Sequence, residues 1–213
     1  MKERLNLIFK VIPPCESFAD IGCDHGLMTK AMLESGKCKS AVISDISKNC
    51  LSKAEALLAE YIRQGIVKSY VSNGFENLPK VDLALIAGMG GEEIISILNA
   101  EKNLPEKLVL QPMKNADKLR RNLLFLGYKL KRDFTFKAEN KFYDIILCEK
   151  GQDKLTEDEI IFGRDNLIEK GEAFIERLNL AKMNSLEYLK NQLSDEARAK
   201  ILADLEKIER CLK

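Results

Sequence analysis

The sequence predicts an α/β protein: a doubly wound, mostly parallel sheet of the Rossmann-like type with an antiparallel last strand, followed by a helical C-terminal part. Three observations support this fold class. Apolar, strand-like runs alternate with helix-like segments through residue 150. One run, 81–87, is apolar almost throughout, which is typical of a parallel strand covered on both faces. Beyond residue 151 the strand signal stops and apolar residues recur at helical spacing.

Five strand-and-helix units are expected first. We place the strands at 17–21, 41–46, 67–71, 81–87 and 108–110, and the main helices at 27–33, 47–63, 92–98 and 116–126. Ser47 is expected to cap the start of the longest helix, and Gly65 to follow its end. Two further runs, 128–136 and 141–148, are joined by a short polar link. They predict an antiparallel hairpin that adds one reversed strand at the edge of the sheet.

Residues beyond 151 predict two antiparallel helices that form a hairpin. Apolar residues recur at an interval of seven in the first helix, and at intervals of four, three and four in the second. These residues are Ile161, Ile168 and Ile175, and then Ile201, Leu205, Ile208 and Leu212. We therefore expect a domain over 1–151 and a helical domain over 152–213. The hairpin is expected either to pack on the first domain as a lid or brace or to bind substrate, and the sequence favours neither.

Composition excludes several classes of function. The 213-residue chain has a net charge of +1 and no apolar run near the ~20 residues that a bilayer requires. Its amino terminus lacks the apolar core of a signal peptide, so we expect a cytoplasmic protein with no membrane contact. We also expect a monomer. One histidine, and six cysteines without CxxC spacing, argue against a metal site and against most histidine-dependent nucleophilic mechanisms.

The first strand ends in a turn that decides between two cofactor classes, Asp20-Ile21-Gly22-Cys23-Asp24-His25-Gly26. A dinucleotide-binding turn has a glycine where its backbone approaches the pyrophosphate, and an acid at Asp24 would repel that group. S-adenosylmethionine instead presents a sulfonium and an ammonium, which suit an acidic turn. Asp20 is placed to orient the amino-acid moiety of such a cofactor. The competing interpretation of Asp24 is a cap for the helix that follows.

Other strand ends extend this cofactor site. Asp45 closes the second strand, where an acid can accept both ribose hydroxyls. Asn73 follows the third strand and can hydrogen-bond an adenine edge, although a simple Asn-Gly turn explains it equally well. The glycine-rich segment 87–91 leaves room for a planar group near the backbone after the fourth strand. With an antiparallel last strand, this plan is that of class I methyltransferases rather than nicotinamide-binding domains.

The methyl acceptor is narrowed by two motifs that do not occur. The segment after the fourth strand is not the (D/N)PP(Y/F) motif that is used to methylate exocyclic amino groups. It also lacks the Pro-Cys nucleophile of cytosine-C5 methylation, because the only Pro-Cys pair, Pro14-Cys15, precedes the first strand. A ring nitrogen or another simple nucleophile is therefore favoured.

A basic cluster at 114–132 suggests a polyanionic partner. It holds seven basic residues against one acid, Asp117, in a nearly neutral chain. Those residues are Lys114, Lys118, Arg120, Arg121, Lys129, Lys131 and Arg132. A solvated helix face beside a strand explains the same cluster, and both interpretations stay open.

Several of these segments together resemble one family, the bacterial tRNA (adenine-22)-N1 methyltransferases, known as TrmK. The matching segments are, in order, ADIGCDHG at 19–26, SDI at 44–46, IAGMGG at 86–91, LVLQP at 108–112, YDIILCEKG at 143–151 and IFG at 161–163. They cover nearly the whole chain. The chain departs from the family at Asn73, where Asp is common, and at Arg164, where Pro is common. The first departure weakens the case for a carboxylate at the cofactor adenine.

The resemblance implies a class I methyltransferase domain with a coiled-coil-like extension, S-adenosylmethionine as cofactor, and tRNA as the substrate methylated at adenine N1. Asp24 is implied to be catalytic, with Met89 in the floor beneath the target base. The cofactor residues are Asp20, Gly22, Cys23, Gly26, Asp45, Ile46, Asn73, Gly74, Phe75, Ala87 and Gly88. The substrate residues are His25, Gly90, Gly91, Gln111, Lys114, Lys118, Arg120 and Arg121, and the N-terminal Lys2, Arg4 and Lys10 are expected to hold phosphates.

Alternatives remain. A small-molecule methyltransferase of the same fold would respond little to salt or to loss of the basic cluster. A non-catalytic RNA-binding protein on this fold would not bind S-adenosylmethionine. His25 is more simply explained as part of its turn than as a contact to tRNA.

Overall fold

The computed structural model describes residues 2–213, which form one seven-stranded sheet with helices on both faces. The strands are β1 (Ser17–Ile21), β2 (Ser40–Asp45), β3 (Val67–Val71), β4 (Leu83–Met89), β5 (Lys107–Pro112), β6 (Tyr128–Ala138) and β7 (Lys141–Lys150). The helices within that range are α1 (Glu3–Val11), α2 (Leu27–Glu34), α3 (Lys48–Leu57), α4 (Ala59–Arg63), α5 (Gly91–Ala100), α6 (Ala116–Phe125), α7 (Glu157–Phe162), α8 (Arg164–Glu169), α9 (Glu172–Tyr188) and α10 (Asp195–Leu212). None of these helices is long and apolar enough to cross a membrane.

The strand order is β3-β2-β1-β4-β5-β7-β6, and the first five strands are parallel. β7 is antiparallel to both β5 and β6, so the predicted antiparallel last strand is confirmed. The expectation that the reversed strand lies at the edge is wrong, because β7 inserts between β5 and β6. Its unbroken buried run, 143–146, suits an internal position, whereas β6 has exposed charges at Lys129, Lys131 and Arg132 that suit an edge.

The helix that follows β2 begins as predicted but is shorter. Ser47 caps α3, because its hydroxyl accepts a hydrogen bond from the amide of Cys50 at 3.3 Å. The single helix expected over 47–63 is interrupted at Leu58, which separates α3 from α4. Leu58 is fully buried, so the interruption lies where the chain is held against the core.

An N-terminal helix, α1, was not predicted by the strand-and-helix pattern. Its buried residue Ile8, and Ile12 directly after the helix, join the core on one face of the sheet. The Nζ of Lys37 donates to the carbonyl oxygens of Phe9 and Ile12, at 2.8 and 2.7 Å, which satisfies acceptors at the end of the helix. At its other end the carboxylate of Glu3 accepts the amide of Glu139 at 2.9 Å. Both ends of α1 are therefore tied to the sheet domain.

The C-terminal part contains four helices instead of two. The predicted antiparallel hairpin is present as α9 and α10, whose seam contains Phe174, Leu178, Ile208 and Cys211. The seven-residue isoleucine series does not form a continuous seam, because the chain turns at Gly163 and again before α9, and Ile168 is 73% exposed. Gly163 has a φ of 90°, which ends α7 and redirects the chain.

A buried guanidinium joins the sheet to these helices. Arg120 is 1% exposed and donates to both carboxylate oxygens of Asp133 at 2.8–3.0 Å and to the carbonyl of Ile160 at 3.2 Å. Burial alone would lower the pKa of Arg120, but the carboxylates of Asp133 and Asp144 outweigh it and the pKa is raised. The expectation that Arg120 binds substrate is therefore wrong, because its charge is enclosed and paired inside the protein.

The same network continues to α8 and α9. Arg177 donates to both oxygens of Asp144 at 2.9 Å, and the hydroxyl of Thr135 donates to the same carboxylate at 2.9 Å. Asn166 accepts the amide of Thr135 at 2.8 Å. Because the C-terminal helices share this buried network with β6 and β7, their packing favours the bracing role over a mobile lid.

Replacing Arg120 with Ala should lower the free energy of unfolding by about 3–5 kcal/mol, since it leaves Asp133 buried without its counter-charge. Arg121→Ala is the matched control. Arg121 is exposed and pairs at the surface with Glu157, so its loss should cost less than about 1 kcal/mol. Urea unfolding followed by far-ultraviolet circular dichroism measures both. Equal, small losses would show that the buried pair is not a major source of stability.

Candidate active site at the carboxyl end of the sheet

Two adjoining cavities open where the carboxyl ends of β1, β2 and β4 meet, at the point where the strand order reverses between β1 and β4. Ligands of open α/β sheets bind at such a point. The Asp20 cavity, about 100 Å³, is lined by residues that include Asp20, Cys23, His25 and Met28. The Asp45 cavity, about 330 Å³, is lined by residues that include Asp45, Ile46, Asn73, Gly74, Gly88 and Met89. Arg4, Gly22, Asp24 and Ala87 line both.

The turn between β1 and α2 has three residues in the left-handed region. Gly22, Asp24 and Gly26 have φ values of 70°, 47° and 69°. The amides of Gly22 and Cys23 both donate to the carbonyl of Ser44, at 2.8 and 3.0 Å, which holds the turn against the end of β2. A Cβ at Gly26 would stand 3.0 Å from that of Ala54, so the glycine lets α2 approach α3. Gly26 therefore shapes the turn from behind rather than lining a cavity.

Asp24 does not cap the helix that follows it. The residue that begins α2 is Gly26, and no side chain caps it. The alternative interpretation of Asp24 as a helix cap is therefore wrong. Its carboxylate is exposed on the rim that the two cavities share, and it lies 3.7 Å from Nε2 of His25. His25 is half exposed beside it, as part of the same turn.

Asp20 is the buried acid of the site. It is 5% exposed, and its carboxylate accepts a hydrogen bond from the hydroxyl of Thr29 at 2.9 Å. Burial raises its pKa to about 7, against the opposing effect of the Thr29 hydrogen bonds, and the nearby charge of Asp45 adds to the rise. A cation placed in the Asp20 cavity would favour the ionised carboxylate and reverse this shift.

Asp45 links the turns that follow β1 and β2. One of its carboxylate oxygens accepts the amide of Ser47 at 2.8 Å and the other accepts the amide of Asp24 at 3.3 Å. The oxygens retain lone pairs for a diol, and the adjacent side chain of Ile46 is 73% exposed. Asp45 therefore suits the ribose of a nucleoside, and Ile46 suits one face of its base.

The glycine-rich segment at the end of β4 brings backbone to the Asp45 cavity. The pairing of β4 with β5 shifts between Ala87 and Met89, and Gly88 between them has a φ of 83°. The Cε of Met89 lies where a Cβ of Gly22 would stand, so Met89 packs over the first turn. A Cβ at Gly90 would stand 3.4 Å from the exposed Lys114 side chain.

Three predicted site residues lie elsewhere. Gly91 does not form the floor for a base, because its amide donates to the carbonyl of Lys114 and a Cβ there would stand 2.4 Å from the carbonyl oxygen of Asn115. Phe75 is 7% exposed within the apolar core and lines neither cavity, so the expectation that it binds the cofactor is wrong. Gln111 is fully buried and bonds Arg4, so it does not reach substrate directly.

The remaining predicted residues lie in mixed surroundings. Cys23 lines the Asp20 cavity as a buried thiol whose pKa is raised by burial. Lys118 and Arg121 are exposed but paired, with Glu92 and Glu157. Lys114 is exposed beside the glycine-rich segment. Within residues 2–213 no group of three or more histidine, cysteine, aspartate or glutamate side chains is arranged to hold a metal ion.

Several cavity residues were missed. Leu5 and Met28 line the Asp20 cavity, and Glu93 and Ile97 line the Asp45 cavity. For Leu5 the sequence did contain a signal, because Leu5, Ile8 and Ile12 are spaced as on one face of a helix. Glu93 and Ile97 lie one turn apart on α5, and only the register of that helix against β4 brings them to the cavity.

Fold and site together define a class I methyltransferase: a seven-stranded sheet with one reversed strand, and an acidic turn at the reversal of strand order. Residues 1–146 match the family model described as a methyltransferase domain. A Mycoplasma genitalium protein named "putative tRNA methyltransferase MG248" is 32% identical over 76% of this chain and 77% of its own length. The Bacillus subtilis tRNA (adenine(22)-N(1))-methyltransferase is 28% identical over 71% of this chain and 66% of its own length.

A solved structure supports the same fold. Streptococcus pneumoniae Sp1610, described as a putative tRNA (m1A22) methyltransferase in complex with S-adenosyl-L-methionine, superposes with a TM-score of 0.90. It is 24% identical, with all of both chains covered. The chain belongs to the methyltransferase-domain family and, within it, to the bacterial tRNA (adenine-22)-N1 methyltransferases, the TrmK family.

Replacing Asp20 with Asn should stabilise the ligand-free protein in a pH-dependent way. The folded-state pKa of about 7 lies above the ordinary 3.8, so ionisation of Asp20 destabilises the fold progressively between about pH 4 and pH 7. The gain of the variant over the parent should therefore be larger at pH 8 than at pH 4.5, by roughly 3 kcal/mol. Urea unfolding at the two pH values measures it. The same gain at both would show that the carboxyl titrates normally.

Proposed function

We propose that this chain transfers a methyl group from S-adenosylmethionine to N1 of adenine 22 in tRNA. The observation that carries the proposal is the pair of adjoining cavities, one lined by Asp20 and the other by Asp45, in a chain of this family. The Bacillus subtilis relative carries the name of that reaction. Because tRNA is the substrate, we place the enzyme in the cytoplasm, and we propose that it acts as a monomer with a catalytic unit over 1–151 and a helical unit over 152–213.

The side chains present fit the proposed cofactor. S-adenosylmethionine supplies an electrophilic methyl group on a sulfonium. Asp20, a buried carboxyl group that lines the smaller cavity, suits its ammonium group. Asp45 suits the ribose hydroxyls, the exposed face of Ile46 suits the adenine ring, and Asn73 can donate to and accept from the adenine edge. No metal ion is needed for this division of roles.

Orientation of the acceptor base is the main contribution expected from the protein. An adenine N1 lone pair must lie in line with the bond that breaks, and holding that geometry removes much of the entropic barrier. Met89 lines the Asp45 cavity, and Met89 and the backbone of the adjacent Gly90 are proposed to support the face of the base. N1 is blocked in a Watson–Crick pair, so adenine 22 must be unpaired or extruded from the stack.

Asp24 is proposed to act on the charge that develops. Methylation at N1 leaves the adenine ring positive, and an adjacent carboxylate can stabilise that charge or accept a proton from N6. Its exposure on the shared rim keeps the carboxylate available to the base.

Phosphates of the tRNA are proposed to meet the exposed cations near this rim. Lys114 lies beside Gly90, and Lys118 and Arg121 follow on α6 in surface ion pairs. Such pairs contribute little to stability, so they can exchange their carboxylates for phosphates. This contribution should make binding weaken as salt rises.

The direct test is incubation of the protein with unmodified tRNA that carries adenine at position 22 and with methyl-labelled cofactor. Nucleoside analysis should detect 1-methyladenosine, and primer extension should stop at position 22. The same tRNA with guanine at 22 is the control and should take up no label. Label in other nucleosides, transfer to small molecules alone, or a rate insensitive to salt would contradict the proposal.

Asp24→Asn should retain cofactor affinity within about threefold and lower the rate of methyl transfer by roughly 100-fold, the scale of general acid–base contributions. Glu34→Gln, at the far end of α2, serves as the control and should have the parental rate. Calorimetry measures the first quantity and single-turnover transfer to tRNA the second. A parental rate in the Asp24 variant would remove the residue from catalysis.

A further inference from the structure

The position of Arg4 is built by the fold. Its helix, α1, is tied to the sheet domain at both ends through Glu3 and Lys37. Nη1 of Arg4 donates to Oε1 of Gln111 at 2.6 Å, and the guanidinium stands 5.7 Å from the ring centroid of Tyr143. A side chain held by helix, sheet and hairpin at once has lost most of its conformational freedom, so Arg4 is preorganised.

Gln111 aims its oxygen at Arg4. It is fully buried at the end of β5, and its Nε2 donates to the carbonyl of Pro112 at 2.9 Å. That bond assigns the amide nitrogen to Pro112 and leaves the oxygen as the acceptor for Arg4. Gly88 completes the contact, because a Cβ there would stand 3.3 Å from Nη1 of Arg4.

The guanidinium of Arg4 retains donors that no acceptor among the described residues uses. Within residues 2–213, only Nη1 of Arg4 has protein acceptors, Gln111 and the sulfur of Met113. Nε and Nη2 are therefore available for an anion. Arg4 lines both cavities, and it does so at the wall they share.

The Asp20 cavity thus has a buried carboxyl group, Asp20, and a fixed guanidinium, Arg4, that do not pair with each other. The other basic side chain that lines this cavity, His25, lies on the rim beside Asp24, so Arg4 is the permanent cation of this cavity. Leu5, Met28 and Leu85 supply apolar walls. An acid and a base facing one small space complement a ligand whose ammonium and carboxylate groups share one carbon, which is the α-amino-acid end of a molecule.

We propose that Arg4 binds the α-carboxylate of the cofactor's amino-acid moiety, and that Gln111 is the positioning residue that orients Arg4. The ligand's identity rests on the proposed function, whereas the recognition of a zwitterion rests on the cavity. This assignment replaces the expectation that Arg4 holds a tRNA phosphate.

The experiment compares two ligands by calorimetry: S-adenosylhomocysteine, and its decarboxylated analogue, which keeps the ammonium group and lacks the carboxylate. The parent protein should prefer S-adenosylhomocysteine by about 10- to 100-fold, the range for hydrogen bonds to a charged group. Arg4→Ala should lose that preference while binding the analogue within about threefold of the parent. Arg4→Lys should recover part of it, because a single ammonium replaces a two-pronged donor.

Two further variants separate binding from structure. Lys53→Ala removes an exposed cation of α3 that lines neither cavity, and it should leave both affinities unchanged. Gln111→Leu should reduce the preference for S-adenosylhomocysteine by about 3- to 10-fold through misorientation of Arg4, with less effect on the analogue. A purely structural role for Gln111 would weaken both ligands equally.

Three results would overturn the proposal. Equal weakening of both ligands by Arg4→Ala would make Arg4 a structural residue. Unchanged affinities with a raised KM for tRNA would make it an RNA contact. Binding of neither ligand by the parent protein would overturn the proposed function together with this assignment, whereas the first two results leave the proposed function standing.

Discussion

A carboxyl group buried beneath the first strand-to-helix turn is the constraint around which this site is organised. Asp20 lies at the end of β1 with the hydroxyl of Thr29 as its side-chain partner, and burial raises its pKa to about 7. An ionised carboxylate there costs stability in the free protein, and a bound cation would recover that cost. The fold therefore retains at this point an acid that suits a ligand better than it suits the empty site. This is the balance expected where function opposes stability.

Other residues of the site, from distant parts of the chain, are held in fixed positions around Asp20. The carboxylate of Asp45 accepts hydrogen bonds from amides in the turns after β1 and β2, so one side chain links the two strand ends. Arg4 arrives from α1 and is held by Gln111 from β5. The C-terminal helices attach elsewhere, through the buried guanidinium of Arg120 on α6, which binds Asp133 on β6 and the carbonyl of Ile160 on α7. The body of the fold thus supplies rigidity, and the cavity walls come from residues as far apart in sequence as Arg4 and Ile97.

Sequence patterns predicted what depends on local spacing. The five parallel strands, the cap at Ser47 and the hairpin of α9 and α10 follow from periodicity and turn chemistry. The position of β7 inside the sheet could not be predicted, since strand order depends on non-local pairing. Arg120 was misassigned for a similar reason: Asp133, which encloses its charge, lies on β6, and no spacing within α6 indicates it. Phe75 follows the cofactor loop in sequence but points into the core, which only the path of the backbone decides.

The central claim is that an S-adenosyl nucleoside occupies the two cavities at the reversal between β1 and β4, with its amino-acid end between Asp20 and Arg4. A crystal structure of the protein with S-adenosylhomocysteine tests it most directly. The account predicts the ribose hydroxyls at Asp45, the adenine on Ile46, and the carboxylate and ammonium at Arg4 and Asp20. A nucleoside bound outside these cavities, or one bound here with its amino-acid end in solvent and Arg4 still on Gln111 alone, would contradict it.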